Sequence, residues 1–586
     1  MNGLRGRLAA VPRTLLEEVA IVVVAAAVTL HAEWGLLFDG NLYQPDALFQ
    51  EYWMRQFNDP KLFTDQLTTD LRASGYFPAG LELVHRAAAH IVDPVTVAAW
   101  IPVVLVPLCA WLLFRCIRLH TTWAPAAWLG CLLFLAPIDI LRFSGGHSRA
   151  FAQPIFLVAL YLALRGRHRL AALVPPVGVL FYPPAALGAL AMIGLSALGR
   201  RPDRERLLPA GASAAASAAI ALVVGSSDLI SKSEALRYPD FWVGSQFPFF
   251  GHSLQNTLTL NYSGFNLAVS GSILAVCALA VIALSPSVVR LVRREVWALG
   301  AGGLILFGLA HATLFRLYLP NRYTYALLPV YCLVIAVGWQ PLWARAARLR
   351  LWPLLAVAMP IAVVVVASTV FPIGRRESIS DVVDWTRDSG LWLLAAPAGA
   401  AVVLAVLRPR AAVVAAVVSG SLVIAGAAVA GGGMSAEGTC PTGRLVKKLS
   451  TLPPDAVIAG DPQRMNCIPI TTRHAVVMSQ KLYQPLAEPY FRTIRPRMLD
   501  MVRAYWGPSP DALVTLRRRY DARYLVVGKR NRTMPEAWER KQPFTDMIAE
   551  YLRDPAGPAV QRLGDRCLVW QHGYDRIYDL PCLTGV

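Results

Sequence analysis

"VTVAAWIPVVLVPLCAWLLFRCIR" (Val95–Arg118) carries no charge from Val95 to Phe114 and then meets Arg115 and Arg118. A helix rises about 1.5 Å per residue, so roughly 20 apolar residues cross the ~30 Å hydrocarbon layer of a bilayer. The run has that length. The arginines that end it fit the cytoplasmic rim of a membrane, where Lys and Arg collect. The same pattern recurs along the chain. Ala20–Leu30, Val95–Leu113, Trp123–Ile138, Phe151–Leu164, Leu170–Phe181, Ala185–Leu198, Leu207–Val224, Leu267–Leu284, Val296–Leu314, Tyr323–Gly338, Leu351–Phe371, Leu391–Leu407 and Ala411–Ala430 are the cores of such runs. They predict a polytopic α-helical membrane protein of about thirteen transmembrane helices. Composition agrees: the 586 residues are 55% hydrophobic and 16% charged, too apolar for a soluble globular protein.

The net charge of +19 could point to nucleic acid. Its distribution points elsewhere. Arginine clusters at Arg5, Arg115, Arg165, Arg200, Arg290, Arg345 and Arg408 fall in alternate loops, as the positive-inside rule requires. No nucleic-acid partner follows. The N-terminus is expected in the cytoplasm and everything after Gly431 outside it. This divides the chain into a membrane domain, 1–430, with a long first outer loop, 39–94, and an extracytoplasmic domain, 431–586. In that tail "DAVIAG" at Asp455, "HAVVMS" at His474 and "RYLVVG" at Arg523 read as short strands. The stretches from Ala487 and Pro510 have helical spacing. Interleaved strands and helices predict an α/β domain. Cys440, Cys467, Cys567 and Cys582 all lie there. An even number in an exported domain predicts two disulfides, with the connectivity open.

Polar residues collect in the outer loops, and in a membrane protein such residues mark function. "NLYQPDALFQEYWMRQFNDPKLF" (Asn41–Phe63) sets Asp46 and Glu51 among aromatic rings. Pro45 suits a helix start and Asp59-Pro60 its end. Phe49, Trp53, Gln56 and Phe57 then share one face, with Tyr52 beside it. That predicts an amphipathic helix lying in the membrane interface, in contact with lipid. "LRFSGGHSRAFAQP" (Leu141–Pro154) brings Arg142, His147 and Arg149 around Gly145-Gly146. "HATLFRLYLPNRYTY" (His311–Tyr325) adds Arg316, Tyr318, Asn321 and Arg322. Outward-facing arginines run against the positive-inside rule and call for an anion, and phosphate matches arginine best.

With these stretches and "LFYPP" at Leu180, the chain resembles the C-class membrane glycosyltransferases, the GT-C fold. The resemblance covers most of the chain. The tryptophan-rich WWDYG motif of oligosaccharyltransferases is absent, so glycosylation of asparagine is not expected. No unambiguous D-x-D motif appears; no cofactor is assigned and a divalent metal stays open. The resemblance implies sugar transfer from a polyprenyl-phosphate-linked donor to a glycan, lipid or protein acceptor outside a bacterial inner membrane. It implies Asp46 as general base and Arg149 and Arg322 as phosphate ligands. His147 and Tyr318 would orient the phosphate, and Glu51, Arg142, Arg316 and Asn321 would complete the substrate site. A transporter or flippase of lipid-linked saccharides would use the same arginines and spans. It predicts internal inverted repeats, and the sequence shows none.

Overall fold

The computed structural model describes residues 13–38, 43, 46–75, 77–135, 143–198, 204–224, 229–235, 237, 238, 240, 269–313, 317, 320–348, 440, 443–529, 538 and 543–585. The runs Leu351–Phe371, Leu391–Leu407 and Ala411–Ala430 lie outside them.

Long apolar runs fold as helices because in a helix every backbone polar group is satisfied within the segment. Arg13–Ala32, Pro94–Arg118, Arg204–Val224, Arg294–Thr313 and Leu327–Arg348 are helices of this kind. Three described segments, Pro94–Arg118, Arg204–Val224 and Arg322–Arg345, are long and apolar enough to cross a membrane. Ala124–Phe134, Ala152–Leu164, Pro183–Ala197 and Val269–Leu284 are shorter. The expected run Leu170–Phe181 is instead two short helices, His168–Ala171 and Val174–Val179. Pro175-Pro176 has no amide hydrogens for an unbroken helix through that point, so a new one starts there. The helices share one apolar core, in which Cys109, Phe114, Phe156, Met192 and Leu333 are buried.

A second core joins residues 47–77 to the C-terminal residues. Four strands form one sheet in the order β1-β2-β4-β3: β1 Val457–Gly460, β2 Ala522–Val527, β3 Leu568–His572 and β4 Asp575–Asp579. β1 and β2 are parallel, while β4 runs antiparallel to both β2 and β3. Helices Glu488–Trp506 and Asp511–Tyr520 lie between β1 and β2 in sequence. "HAVVMS" forms no strand and makes one parallel bridge, Ile458 to Val476. Disulfides join Cys440 to Cys467 and Cys567 to Cys582.

The expected interfacial helix is not what forms. Ala47–Gln50 is one turn of helix, and Tyr52–Phe57 continues as a 3₁₀ helix. Phe49, Tyr52 and Trp53 are buried at 5%, 1% and 1% exposure, in the same core as Tyr490, Ile494 and Met498. The rings face protein rather than lipid. Polar ties fix the contact. The Arg55 guanidinium donates to Asp93 at 3.0 Å and to the Ile470 carbonyl, and Thr493 donates to Asp70 at 2.8 Å.

Candidate active site

Asp46 sits at the start of the one-turn helix Ala47–Gln50, and its side chain makes no capping bond. It reaches Arg149 instead, with Oδ2 2.7 Å from the guanidinium Nη1; the side chains are 29% and 21% exposed. One turn later, Glu51 meets His147, Oε1 to Nδ1, at 2.8 Å. That pair is almost completely buried, at 3% and 1% exposure. The two residues that flank one turn of helix therefore hold two residues of the 143–151 loop.

The loop's glycines explain how it gets there. Gly145 and Gly146 have φ of 75° and 61°, the left-handed region that favours glycine. A Cβ on Gly146 would lie 2.2 Å from the Ala98 carbonyl oxygen. Bare backbone thus lets the loop rest on helix Pro94–Arg118. Ser144 donates to Glu33 at 3.2 Å, tying the loop to the end of the first helix. Gln153 donates to the Tyr325 carbonyl at 3.0 Å. This joins the loop to the 3₁₀ segment Pro320–Ala326, which carries Arg322. Arg322 donates to the Tyr325 hydroxyl and lies 5.8 Å from its ring. The "LFYPP" corner closes the other side. The Gly80 amide donates to the Leu180 carbonyl at 2.7 Å, and Phe151 stacks on Phe181 at 4.8 Å.

The charges act on each other. Burial alone would raise the Asp46 carboxyl, but Arg149, His147, Lys481 and Arg322 together outweigh it and hold it at about 2. Burial pushes the Glu51 carboxyl the other way, up, against the pull of His147 and with help from the Asp46 charge. Nearby His85 is fully buried and bonds the Pro94 carbonyl at 3.0 Å. Burial takes it down to about 4, so it is neutral at pH 7.

Of the residues expected at the site, Asp46, Glu51, His147, Arg149 and Arg322 act on one another in this way. Arg142, Arg316, Tyr318 and the Asn321 side chain lie outside the described residues. Lys481, Glu33 and His85 have no signature in the sequence that marks them for a site. Lys481 is one cation among many, and it arrives from the C-terminal residues. Its segment is held in place: its amide donates to Asn466 at 2.9 Å, the Ile230 amide donates to Leu486 at 2.8 Å, and Tyr483 donates to Asp240. Among the described residues no three His, Cys, Asp or Glu side chains gather as metal ligands.

No protein-family model matches the sequence, and no curated protein matches it. Solved structures do. The apo state of ArnT from Cupriavidus metallidurans is similar at a TM-score of 0.56 and 15% identity, over 96% of this chain and 97% of that one. ArnT from the same organism bound to undecaprenyl phosphate gives 0.55 and 15%, over 95% and 98%. The Archaeoglobus fulgidus oligosaccharyltransferase in complex with zinc and sulfate gives 0.48 and 13%, over 94% and 71%. The chain shares its fold with ArnT over nearly its whole length.

Proposed function

We propose that this protein is an integral-membrane glycosyltransferase that moves a sugar from a polyprenyl-phosphate-linked donor to an acceptor outside the cytoplasm. The acceptor is an envelope glycan, lipid or protein. The observation that carries the reading is one carboxylate, Asp46, under the influence of cations from three separate segments: Arg149, Arg322 and Lys481. That is the charge pattern needed to receive a phosphate beside a base. ArnT, which shares the fold, was solved with undecaprenyl phosphate bound, which supports a polyprenyl phosphate as the anion. In this reading residues 1–430 form the membrane domain, with its N-terminus in the cytoplasm and further spans in the run after Arg350. Residues 431–586 form a disulfide-bonded α/β domain on the outer side.

The chemistry follows. The acceptor hydroxyl gives its proton to Asp46 as its oxygen attacks the anomeric carbon. The bond from that carbon to the phosphate oxygen breaks, and its electron pair leaves with the polyprenyl phosphate. Arg149 and Arg322 meet the charge that develops there. Asp46 then returns its proton to the departing phosphate or to water. Glu51, buried against His147, fixes the turn that carries Asp46.

A strain lacking the protein tests the reading. It should lose one envelope glycan linkage and accumulate the lipid-linked sugar that feeds it. The wild-type gene should restore both, and the Asp46→Asn gene neither. Restoration by Asp46→Asn would remove the catalytic assignment and favour transport of the lipid-linked saccharide.

A further inference from the structure

Arg149 is asked to do two things by the reading above: bind the donor phosphate and lie beside the base. Its geometry shows these are in conflict. The guanidinium is committed to Asp46 at 2.7 Å. A carboxylate held this way is a poor proton acceptor, because the cation stabilises the charged form that must give way. Glu51 and His147 take up each other at 2.8 Å, so neither supplies a spare partner.

We propose that Arg149 is an exchange switch: the donor's phosphate takes the guanidinium from Asp46, and only then is Asp46 basic enough to deprotonate the acceptor. The proposal rests on the glycosyl-transfer reading and adds an order of events to it. The Arg149 guanidinium donates to Asp46 through Nη1, and a phosphate that takes that N–H group gains at the carboxylate's expense. The reaction balances as before. Arg149 changes partner, the acceptor O–H proton moves to Asp46, the new bond forms at the anomeric carbon, and the electron pair of the broken bond leaves with the polyprenyl phosphate. On release of that phosphate Arg149 returns to Asp46. The consequence is economy of chemistry: the base is strong only while a donor occupies the site, which disfavours activation of stray water. The other groups that act on Asp46 are His147, Lys481, Arg322 and Glu51. Lys481 and Arg322 come from other segments and His147 is held by Glu51 at 2.8 Å, so exchange at Arg149 changes the carboxyl's principal partner.

The test is binding of a short-chain polyprenyl monophosphate to the full-length protein in nanodiscs, arranged as a double-mutant cycle. If carboxylate and phosphate compete for one guanidinium, Asp46→Asn tightens binding. One pKa unit of carboxylate–guanidinium interaction is worth about tenfold, so the expected gain is about 10-fold. In an Arg149→Ala background the gain should fall below about twofold, since nothing is left to compete for. Arg149→Lys, which keeps the charge, provides a second background and should show a reduced gain. Unchanged or weaker binding by Asp46→Asn would overturn the switch. So would an equal gain in all backgrounds, which would mean simple repulsion between two anions. If these outcomes arise while the wild type still transfers sugar and Asp46→Asn does not, the switch fails and the glycosyl-transfer reading stands. If the wild type neither binds the probe nor transfers sugar, both fail.

Discussion

Asp46 and Glu51 lie on one short stretch of chain and are pushed in opposite directions. Asp46 is depressed to about 2, so its contribution to stability is present above 3.8 and is lost as pH falls from there. Glu51 is raised by burial, so the folded protein holds its proton more tightly than the unfolded chain does. That contribution is present below 4.5 and is lost as pH rises through 4.5 towards the folded value. Glu51→Gln keeps the shape and removes this titration. Thermal unfolding from pH 4 to pH 8 should therefore show the variant gaining on the wild type as pH rises. A constant difference across that range would mean that the Glu51 pair with His147 cancels the cost of burial. Two of the glycines with left-handed backbones give a second residue-level test. Gly146 and Gly166 have φ of 61° and 74°, so alanine strains either by about 1 kcal/mol. Only Gly146 also meets backbone, the Ala98 carbonyl at 2.2 Å, while nothing lies within 4 Å of Gly166. Gly146→Ala should displace the loop that carries His147 and Arg149 and abolish most transfer; Gly166→Ala should leave transfer nearly unchanged. Equal activity of the two variants in a transfer assay would disprove the account of the loop.

At the level of elements, Arg55 is a joint between the segment 46–93 and the C-terminal residues. It bonds Asp93 at 3.0 Å and the Ile470 carbonyl, and Arg473 lies 3.9 Å from the same Asp93. Arg55→Ala leaves the buried Ile470 carbonyl and the partly exposed Asp93 carboxylate short of a donor, which typically costs about 1–3 kcal/mol. The variant should unfold earlier, and limited proteolysis should reach the Asp93–Arg473 joint first. The elements also show what a sequence can and cannot disclose. Apolar runs such as Val95–Leu113 and Leu207–Val224 were legible, because length and composition alone decide a helix in an apolar setting. The rings of Tyr52 and Trp53 were not. An aromatic face at helical spacing suits lipid or a protein core equally, and the residues that cover it, Tyr490 and Met498 among them, are hundreds of positions away. The hairpin of β3 and β4 did leave a signal in "LVWQHGYDRIYD", where Gly573 at φ 57° turns two alternating runs. The charge chemistry was legible as residue types in loops; the pairings, Asp46 with Arg149 and Glu51 with His147, were not, since spacing within a loop does not say which partner it meets. Lys481 had no local signal at all.

For the whole molecule, the proposed topology puts the basic clusters on the cytoplasmic side and the site on the other. An impermeant thiol reagent applied to intact cells should label a cysteine placed at Gln463, an exposed position near β1, and should spare one placed at Arg167 until the membrane is opened. The reverse pattern would put the site in the cytoplasm. The central claim is that Asp46 is the base of a polyprenyl-phosphate-dependent sugar transfer. It is tested most directly by purified wild-type and Asp46→Asn protein given radiolabelled polyprenyl-phosphate sugars and a membrane-envelope acceptor fraction, with the rate of label transfer measured. The account predicts transfer by the wild type and a rate about 10²–10⁴-fold lower for Asp46→Asn, the usual share of a general base. Transfer at the wild-type rate by Asp46→Asn would contradict it.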